Sequence, residues 1–237
     1  MNNILVIFRR ELRSFFDSPM AYVFLVVFAV VNGYFFTNTF FLYGQSDMRA
    51  LFGIVPLVYL FFIPGVMMGL ISREKGLGTI EIISTLPIND RDIVIGKYLA
   101  GFVLILIALF TTSLHYITLI SVGTEIDHGA VFTGYLGLAL VAGVYASIGL
   151  FSSALSDNQV VSFIVGIAII FVFWLMDKLL IFVPSGMAGL VQFLSVDYHL
   201  TSISRGVIDT RNLIYFGSVI GFFLFLTNKV LEIRKWK

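Results

Sequence analysis

The sequence contains no cysteine and few charged residues. The missing cysteines exclude disulfide bonds, thiolate metal sites and a cysteine nucleophile. Charged residues account for 12% of the 237 positions and hydrophobic residues for 59%, and this charged share is about half of that in soluble domains. The net charge of +1 gives no reason to expect a nucleic-acid partner. This composition predicts an all-α polytopic membrane protein.

The sequence also lacks the motifs of a catalytic or ion-coupled membrane protein. His115, His128 and His199 are scattered without metal-binding spacing, and Gly96-Lys97 lacks the upstream glycine of a phosphate-binding loop. Ionisable residues inside the apolar runs, which mark ion pathways, are almost absent. We therefore predict no catalytic residue, no metal site and no cofactor in this chain, and an energy source outside the bilayer.

Long uncharged runs predict six membrane-spanning helices, because about 20 apolar residues are needed to cross a bilayer. With the N-terminus in the cytoplasm, 11 of the 15 basic residues fall on the inner side, which agrees with the positive-inside rule. The exceptions are Arg49, Lys178, Arg205 and Arg211. We expect one transmembrane domain, 1–237, with both termini cytoplasmic. The predicted spans are 21–43, 50–72, 98–124, 129–156, 158–176 and 212–228.

Two segments outside these spans have their own patterns. Residues 1–19 predict a basic amphipathic helix, an interfacial elbow helix ended by Pro19. It is either an anchor that sets topology or a brace for a moving bundle. Residues 179–211, interrupted by Pro184, predict the end of the fifth helix and short helices on the periplasmic side. The predicted apolar face of the elbow helix comprises Ile4, Leu5, Phe8, Leu12, Phe15 and Phe16.

The stretch REKGLGTIEIISTLPINDRDIVIGK concentrates charge between the second and third spans. Gly76 and Gly78 loosen its first helix, Pro87 ends that helix, and Asn89 or Asp90 caps the next. The pattern predicts a helix-turn-helix hairpin over residues 73–94. Such a hairpin is either a solvated connection or a docking surface.

The residues of this stretch resemble a known family. The pattern E-K-G-x-G-T-x-E-x-x-x-x-x-P, with G-K at the start of the next span, is similar to the cytoplasmic loop of ABC-2 type transporter permeases. The RREL start, FFDSPMAY before the first span and the short turn between spans four and five extend the resemblance over essentially the whole chain. The segment SISRGVIDTRNLIYFGSV resembles the gliding-motility-associated F-type permease subunit.

The resemblance implies a non-catalytic permease subunit of an ATP-driven complex in the bacterial inner membrane. ATP and Mg would bind to a separate ABC ATPase subunit, and a second permease, identical or different, would complete the membrane unit. The 73–94 loop would be the coupling loop that docks onto the ATPase, and Asp157 would make a second cytoplasmic contact. The residues expected in ATPase coupling are Arg73, Glu74, Lys75, Gly76, Thr79, Glu81 and Pro87.

The family resemblance also suggests a translocation path along spans two and five, for which we propose Phe61, Phe62, Met67 and Met68. An apolar path suits a lipid-like or amphipathic cargo, yet a surface facing membrane lipid has the same composition. Two pairs with GxxxG spacing, Gly65/Gly69 and Gly217/Gly221, permit close helix contact within the chain or between subunits.

Two alternative functions stay open. The chain could be a structural or force-transmitting membrane subunit of an envelope machine without cargo transport, contacting a periplasmic partner through residues 179–211. A self-sufficient secondary transporter is the third alternative, and the sequence shows no clear internal repeat to support it.

Overall fold

The computed structural model of the protein describes residues 3–42, 48–80, 88–123 and 126–234. Within these ranges the chain forms helices and no strand, which confirms the predicted all-α fold. The α-helices are α1 Asn3–Asp17, α2 Pro19–Thr37, α3 Arg49–Met67, α4 Gly69–Gly76, α5 Asp90–Thr111, α6 Ser113–Val122, α7 His128–Leu155, α8 Gln159–Leu179, α9 Ser185–Leu194, α10 Val196–Ser204 and α11 Thr210–Arg234.

Six stretches of the described chain are long and apolar enough to cross a membrane, which confirms the predicted number. The second span joins α3 to α4, and the third joins α5 to α6. Both ends of the predicted 73–94 loop are therefore helical extensions of these two spans. The spans are Pro19–Phe40, Arg49–Gly76, Asp90–Val122, His128–Leu155, Gln159–Phe182 and Thr210–Ile233.

Local hydrogen bonds fix where several helices begin. Ser18 Oγ accepts a hydrogen bond from the Met20 N–H (3.2 Å), and Pro19 opens α2, so α1 and α2 are separate helices. Asp127 Oδ1 accepts from the Ala130 N–H (3.0 Å) at the start of α7. Asn158 Oδ1 accepts from the Val160 N–H (2.8 Å) at the start of α8, so the turn between spans four and five is short and well capped.

Span four is the centre of the bundle. Its most apolar window is 78% buried, compared with 22% for span one and 17% for span five. Glycines allow the close packing: a Cβ added at Gly149 would lie 2.8 Å from the Met67 Cβ, and one added at Gly134 would lie 2.1 Å from the Phe52 ring. Because spans one and five lie at the periphery, most of their apolar surface is not covered by the rest of the chain.

Helix α1 packs along the first turns of α5. Ile7 is buried, and a Cβ added at Gly96 would lie 2.8 Å from the Ile7 Cβ. The contact with α5 uses Ile7, which lies outside the predicted apolar face, whereas Leu5 of that face is 43% exposed. The absence of a side chain at Gly96 determines which face of α1 is covered. We call this end of the bundle, where α1 meets Gly96 and Lys97, the elbow end.

Candidate functional site

A buried lysine joins three helices at the elbow end. Lys97, in α5, is 1% exposed. Its Nζ lies 3.0 Å from Glu11 Oε1 in α1 and 2.8 Å from Glu74 Oε1 in α4, and it donates to the Leu70 carbonyl oxygen (2.7 Å). These contacts use all three ammonium donors. Lys97 Nζ thus connects the elbow helix to α4 and α5, the two helices that flank the 73–94 loop.

Arg10 completes this cluster. Its Nη2 donates to Glu74 Oε1 (3.1 Å) and also to Glu11 Oε1. Two cations and two carboxylates therefore neutralise one another where burial would otherwise make the charges of Lys97, Glu11 and Glu74 costly. We refer to Arg10, Glu11, Glu74 and Lys97 as the elbow cluster.

The electrostatics of the elbow cluster favour its charged forms. Burial alone would raise the pKa of Glu11, but Lys97 and Arg10 outweigh this effect and hold that pKa below its ordinary value. Burial acts in the opposite direction on Arg10, yet Glu11 and Glu74 raise the pKa of its guanidinium. Both shifts favour the charged forms of Glu11 and Arg10.

The protein is expected to lose stability at acid pH through this cluster. Because the folded-state pKa of Glu11 is lowered, its ionised form stabilises the fold above the unfolded-state pKa of about 4.3. That stabilisation is lost as the pH falls through the lower folded-state pKa. Melting midpoints of the detergent-solubilised protein, measured from about pH 7 to about pH 3, should decline less in Glu11→Gln than in the wild type. An equally steep acid decline in both would contradict this role.

The structure brings several predicted coupling residues together at the base of the loop. Glu74 belongs to the elbow cluster, and its carbonyl oxygen accepts from Thr79 Oγ1 (3.3 Å). Lys75 Nζ donates to the Ala154 carbonyl oxygen (2.7 Å) at the end of α7. The Arg73 side chain is exposed on the last turn of α4. Glu81 and Pro87 lie outside the described residues.

Gly76 and Asp157, predicted separately, are neighbours. A Cβ added at Gly76 would lie 2.7 Å from the Asp157 carbonyl oxygen, so a larger residue would displace backbone. Gly78, two residues later, has a φ of 69°, which favours glycine. The turn between spans four and five therefore contacts the point where the second span ends.

Ser153 of α7 fastens the break between α3 and α4. Its Oγ accepts hydrogen bonds from the Ile71 and Ser72 N–H groups, both at 3.0 Å, and donates to the Met68 carbonyl oxygen (2.7 Å). N–H groups in the first turn of a helix have no partner within that helix. A side chain of span four supplies the partner here, so α4 is held against span four as well as against α5.

The predicted path residues do not share one surface. Phe61, Phe62 and Met68 line an apolar groove of about 460 Å³ between spans one, two and five. Met67 is fully buried instead, and it fills the space that Gly101 and Gly149 leave open.

A second polar contact lies at the other end of the bundle, where residues 179–211 meet span six. His199, in α10, is 2% exposed, with Nδ1 2.7 Å from Asn212 Oδ1 and Nε2 2.9 Å from the Phe193 carbonyl oxygen. Its ring stacks on that of Tyr215 at a centroid distance of 4.0 Å. Helices α9 and α10 are thereby attached to span six. The sequence indicated only a lone histidine.

The elbow cluster was also missed from the sequence. The sequence indicated Lys97 only as a basic residue on the inner side and as the lysine of the G-K pair that begins the third span, and Arg10 only as a basic residue of the amphipathic helix. The available signal was Glu11, an acid that follows Ile4 and Ile7 at helical spacing and therefore shares their face.

Six apolar spans with a charged, hydrogen-bonded cluster at one end define a multi-pass membrane protein. A sequence model described as ABC-2 family transporter protein matches residues 5–199, and the chain belongs to this family. A comparison with curated protein sequences gives no match. The chain is thus a permease subunit of an ABC transporter, for which an ABC ATPase is the general partner.

Proposed function

We propose that this permease subunit couples ATP hydrolysis by a separate ATPase chain to work across the bacterial inner membrane. The ATPase, carrying ATP and Mg, docks on the 73–94 loop, and this chain contributes no catalytic residue. The elbow cluster is the observation that carries the proposal. Lys97 binds both Glu11 and Glu74, so the base of the docking loop cannot move without α1 and α5.

The contacts around α4 support transmission to the rest of the bundle. Ser153 and the Ala154 carbonyl oxygen connect α4 to span four, and Gly76 touches the turn at Asp157. A displacement of the loop by the ATPase would therefore reach spans two, three and four together. Discrete states of the ATPase dimer would select between positions of this helix group.

Gly76→Ala is expected to weaken ATPase association while membrane insertion is unchanged. Alanine is compatible with the helical backbone at this position, so the effect comes from the 2.7 Å approach of its Cβ to the Asp157 carbonyl oxygen. Overpacking of this kind corresponds to an affinity loss of about tenfold. The affinity is measured by titrating the purified variant with the purified ATPase, after co-purification from host membranes has shown whether the two associate.

Gly53→Ala is the matched control, because a Cβ added at Gly53 meets no atom within 4 Å. Glu81→Arg tests the loop by charge reversal. If both Gly76→Ala and Glu81→Arg co-purify with the ATPase at wild-type stoichiometry, the ATPase does not dock on the 73–94 loop.

We propose that the elbow end and both termini face the cytoplasm, since this orientation puts 11 of the 15 basic residues on that side. A reporter active only in the cytoplasm should be active when fused after Lys237 and inactive when inserted after Gly206. The reverse result would overturn the orientation.

We further propose a second permease subunit and a role in gliding motility. Spans one and five, 22% and 17% buried, leave apolar surface that a second subunit can cover. The gliding branch rests on the resemblance of residues 202–219. Affinity purification from host membranes should then recover an ATPase together with a different permease; a second copy of this chain in its place would contradict the branch.

A force-transmitting subunit is the second candidate function. The observation that favours it is the attachment of α9 and α10 to span six through His199, which would pass bundle motion to a periplasmic partner. Both candidates predict an ATPase partner. Only transport predicts an ATPase rate that increases when cargo is added to the reconstituted complex.

A further inference from the structure

Two adjoining compartments open between α1 and spans two and five. The first is the apolar groove of about 460 Å³ that contains Phe61 and Phe62. The second has a volume of about 400 Å³ and is lined by polar side chains, among them Arg10, Arg73 and Gln159. The two are continuous, because both are lined by Phe15, Met20, Gly65, Val66 and Met68.

The compartments lie at different depths in the bundle. Arg73 is at the end of span two and Phe61 is 12 residues earlier in the same span. At 1.5 Å per residue this separation is roughly 18 Å. One leaflet of the hydrocarbon core is about 15 Å thick, half of the full thickness. The polar compartment therefore matches the depth of lipid headgroups, and the groove matches the depth of acyl chains.

The polar compartment carries a net positive charge. Glu11 and Glu74 also line it, but Lys97 and Arg10 neutralise these carboxylates within the elbow cluster. Arg73 also lines the compartment but is not part of the elbow cluster. Its guanidinium makes no ion pair with any side chain that the structure describes. An exposed guanidinium is well suited to a phosphate group.

Gly65 lines both compartments, and Gly69 lines the polar one. A Cβ added at Gly65 would lie 3.8 Å from Phe163 Cε2, and one added at Gly69 would lie 3.3 Å from Gln159 Oε1. This pair, which has the GxxxG spacing, therefore forms one wall of the cavities, and a larger side chain at Gly65 would project into the groove.

We infer that these compartments bind a phospholipid with an anionic headgroup, its phosphate near Arg73 and one acyl chain along Phe61 and Phe62. The inference deepens the proposed function and rests on its orientation, which places Arg73 at the cytoplasmic leaflet. The lipid is either cargo or a fixed component of the complex, and both uses require the same site.

Photo-crosslinking of the purified full-length chain tests the site. The chain is placed in nanodiscs of phosphatidylcholine that contain a trace of phosphatidylglycerol with a diazirine in its acyl chain. Mass spectrometry should locate crosslinks at residues 61–68 and at the start of α8. Arg73→Gln should lower this labelling about tenfold, as expected for loss of a charged hydrogen bond, and Gly65→Leu should abolish it.

Two controls separate a specific site from bulk lipid. Arg9→Gln removes an exposed charge from α1, and Gly217→Leu adds a side chain where a Cβ meets no atom within 4 Å. Both should label as the wild type does. Equal labelling by a diazirine phosphatidylcholine, or labelling that survives Arg73→Gln, would overturn the inference. The experiment needs no ATPase, so a failure of ATPase docking would leave its result intact.

Discussion

Lys97→Met is expected to destabilise the protein by about 3 kcal/mol, because it removes the buried cation that two carboxylates share and leaves them only Arg10, whose side chain is 54% exposed. The Lys97 side chain is 1% exposed, and those of Glu11 and Glu74 are only 13% and 17% exposed. Methionine preserves most of the apolar stem, so the lost interaction is electrostatic. Thermal unfolding of the detergent-solubilised chain, followed by circular dichroism, measures the change.

The triple variant Lys97→Met, Glu11→Gln, Glu74→Gln should recover most of this loss, since no uncompensated carboxylate remains. Lys229→Met is the control for removing an ion pair at the surface: Lys229 and Glu232 are 2.7 Å apart, with side chains 48% and 38% exposed. Its effect should be much smaller than that of Lys97→Met, because an exposed ion pair is screened by solvent. Equal effects of Lys97→Met and Lys229→Met would show that the elbow cluster contributes no more than a surface pair.

Much of the architecture could be predicted from the sequence because it depends on local composition. A run of apolar residues long enough to cross a bilayer identifies a span without any knowledge of its neighbours. Helix ends at Ser18, Asp127 and Asn158 follow from side chains that bond to the next turn.

The contacts that make the candidate site could not be predicted in the same way. Lys97 and Glu11 are 86 positions apart, and nothing local to either residue indicates the other. The positive-inside rule already accounts for a lysine at the end of a span, so the sequence offers no further reason to expect Lys97 in a buried ion pair. Met67 was predicted to line a path and instead fills the core. An apolar side chain in a span gives no indication in the sequence of which of these two positions it takes.

The proximity of Gly76 to Asp157 shows what a family resemblance adds. The loop motif assigned Gly76 and the short turn between spans four and five suggested Asp157, but only the packing of α4 on α7 brings them together. The geometry therefore places two residues that were predicted separately in direct contact.

Gly96→Ala is expected to move the elbow helix away from α5 and to uncouple the complex. The added Cβ would lie 2.8 Å from both Cβ and Cγ2 of Ile7 and 3.1 Å from the Ile4 carbonyl oxygen, and atoms so close to the backbone cannot rotate away. The strain corresponds to about 1 to 3 kcal/mol. We expect α1 to shift by about an ångström, which lengthens the contact between Lys97 and Glu11.

The absence of cysteine makes this displacement measurable, since spin labels attach only at introduced positions. Arg9→Cys in α1 and Arg91→Cys in α5, both at exposed residues, give a label pair whose distance distribution should lengthen and broaden in Gly96→Ala. Ile7→Ala removes one of the two clashing side-chain atoms and should restore part of the distribution. Gly217→Ala, where a Cβ meets nothing within 4 Å, should leave it unchanged. If Gly96→Ala lengthens the distance between the labels while ATPase association and ATPase rate stay at wild-type values, α1 is only an anchor. If the distance lengthens and ATPase association and rate both fall, α1 has the role of a brace.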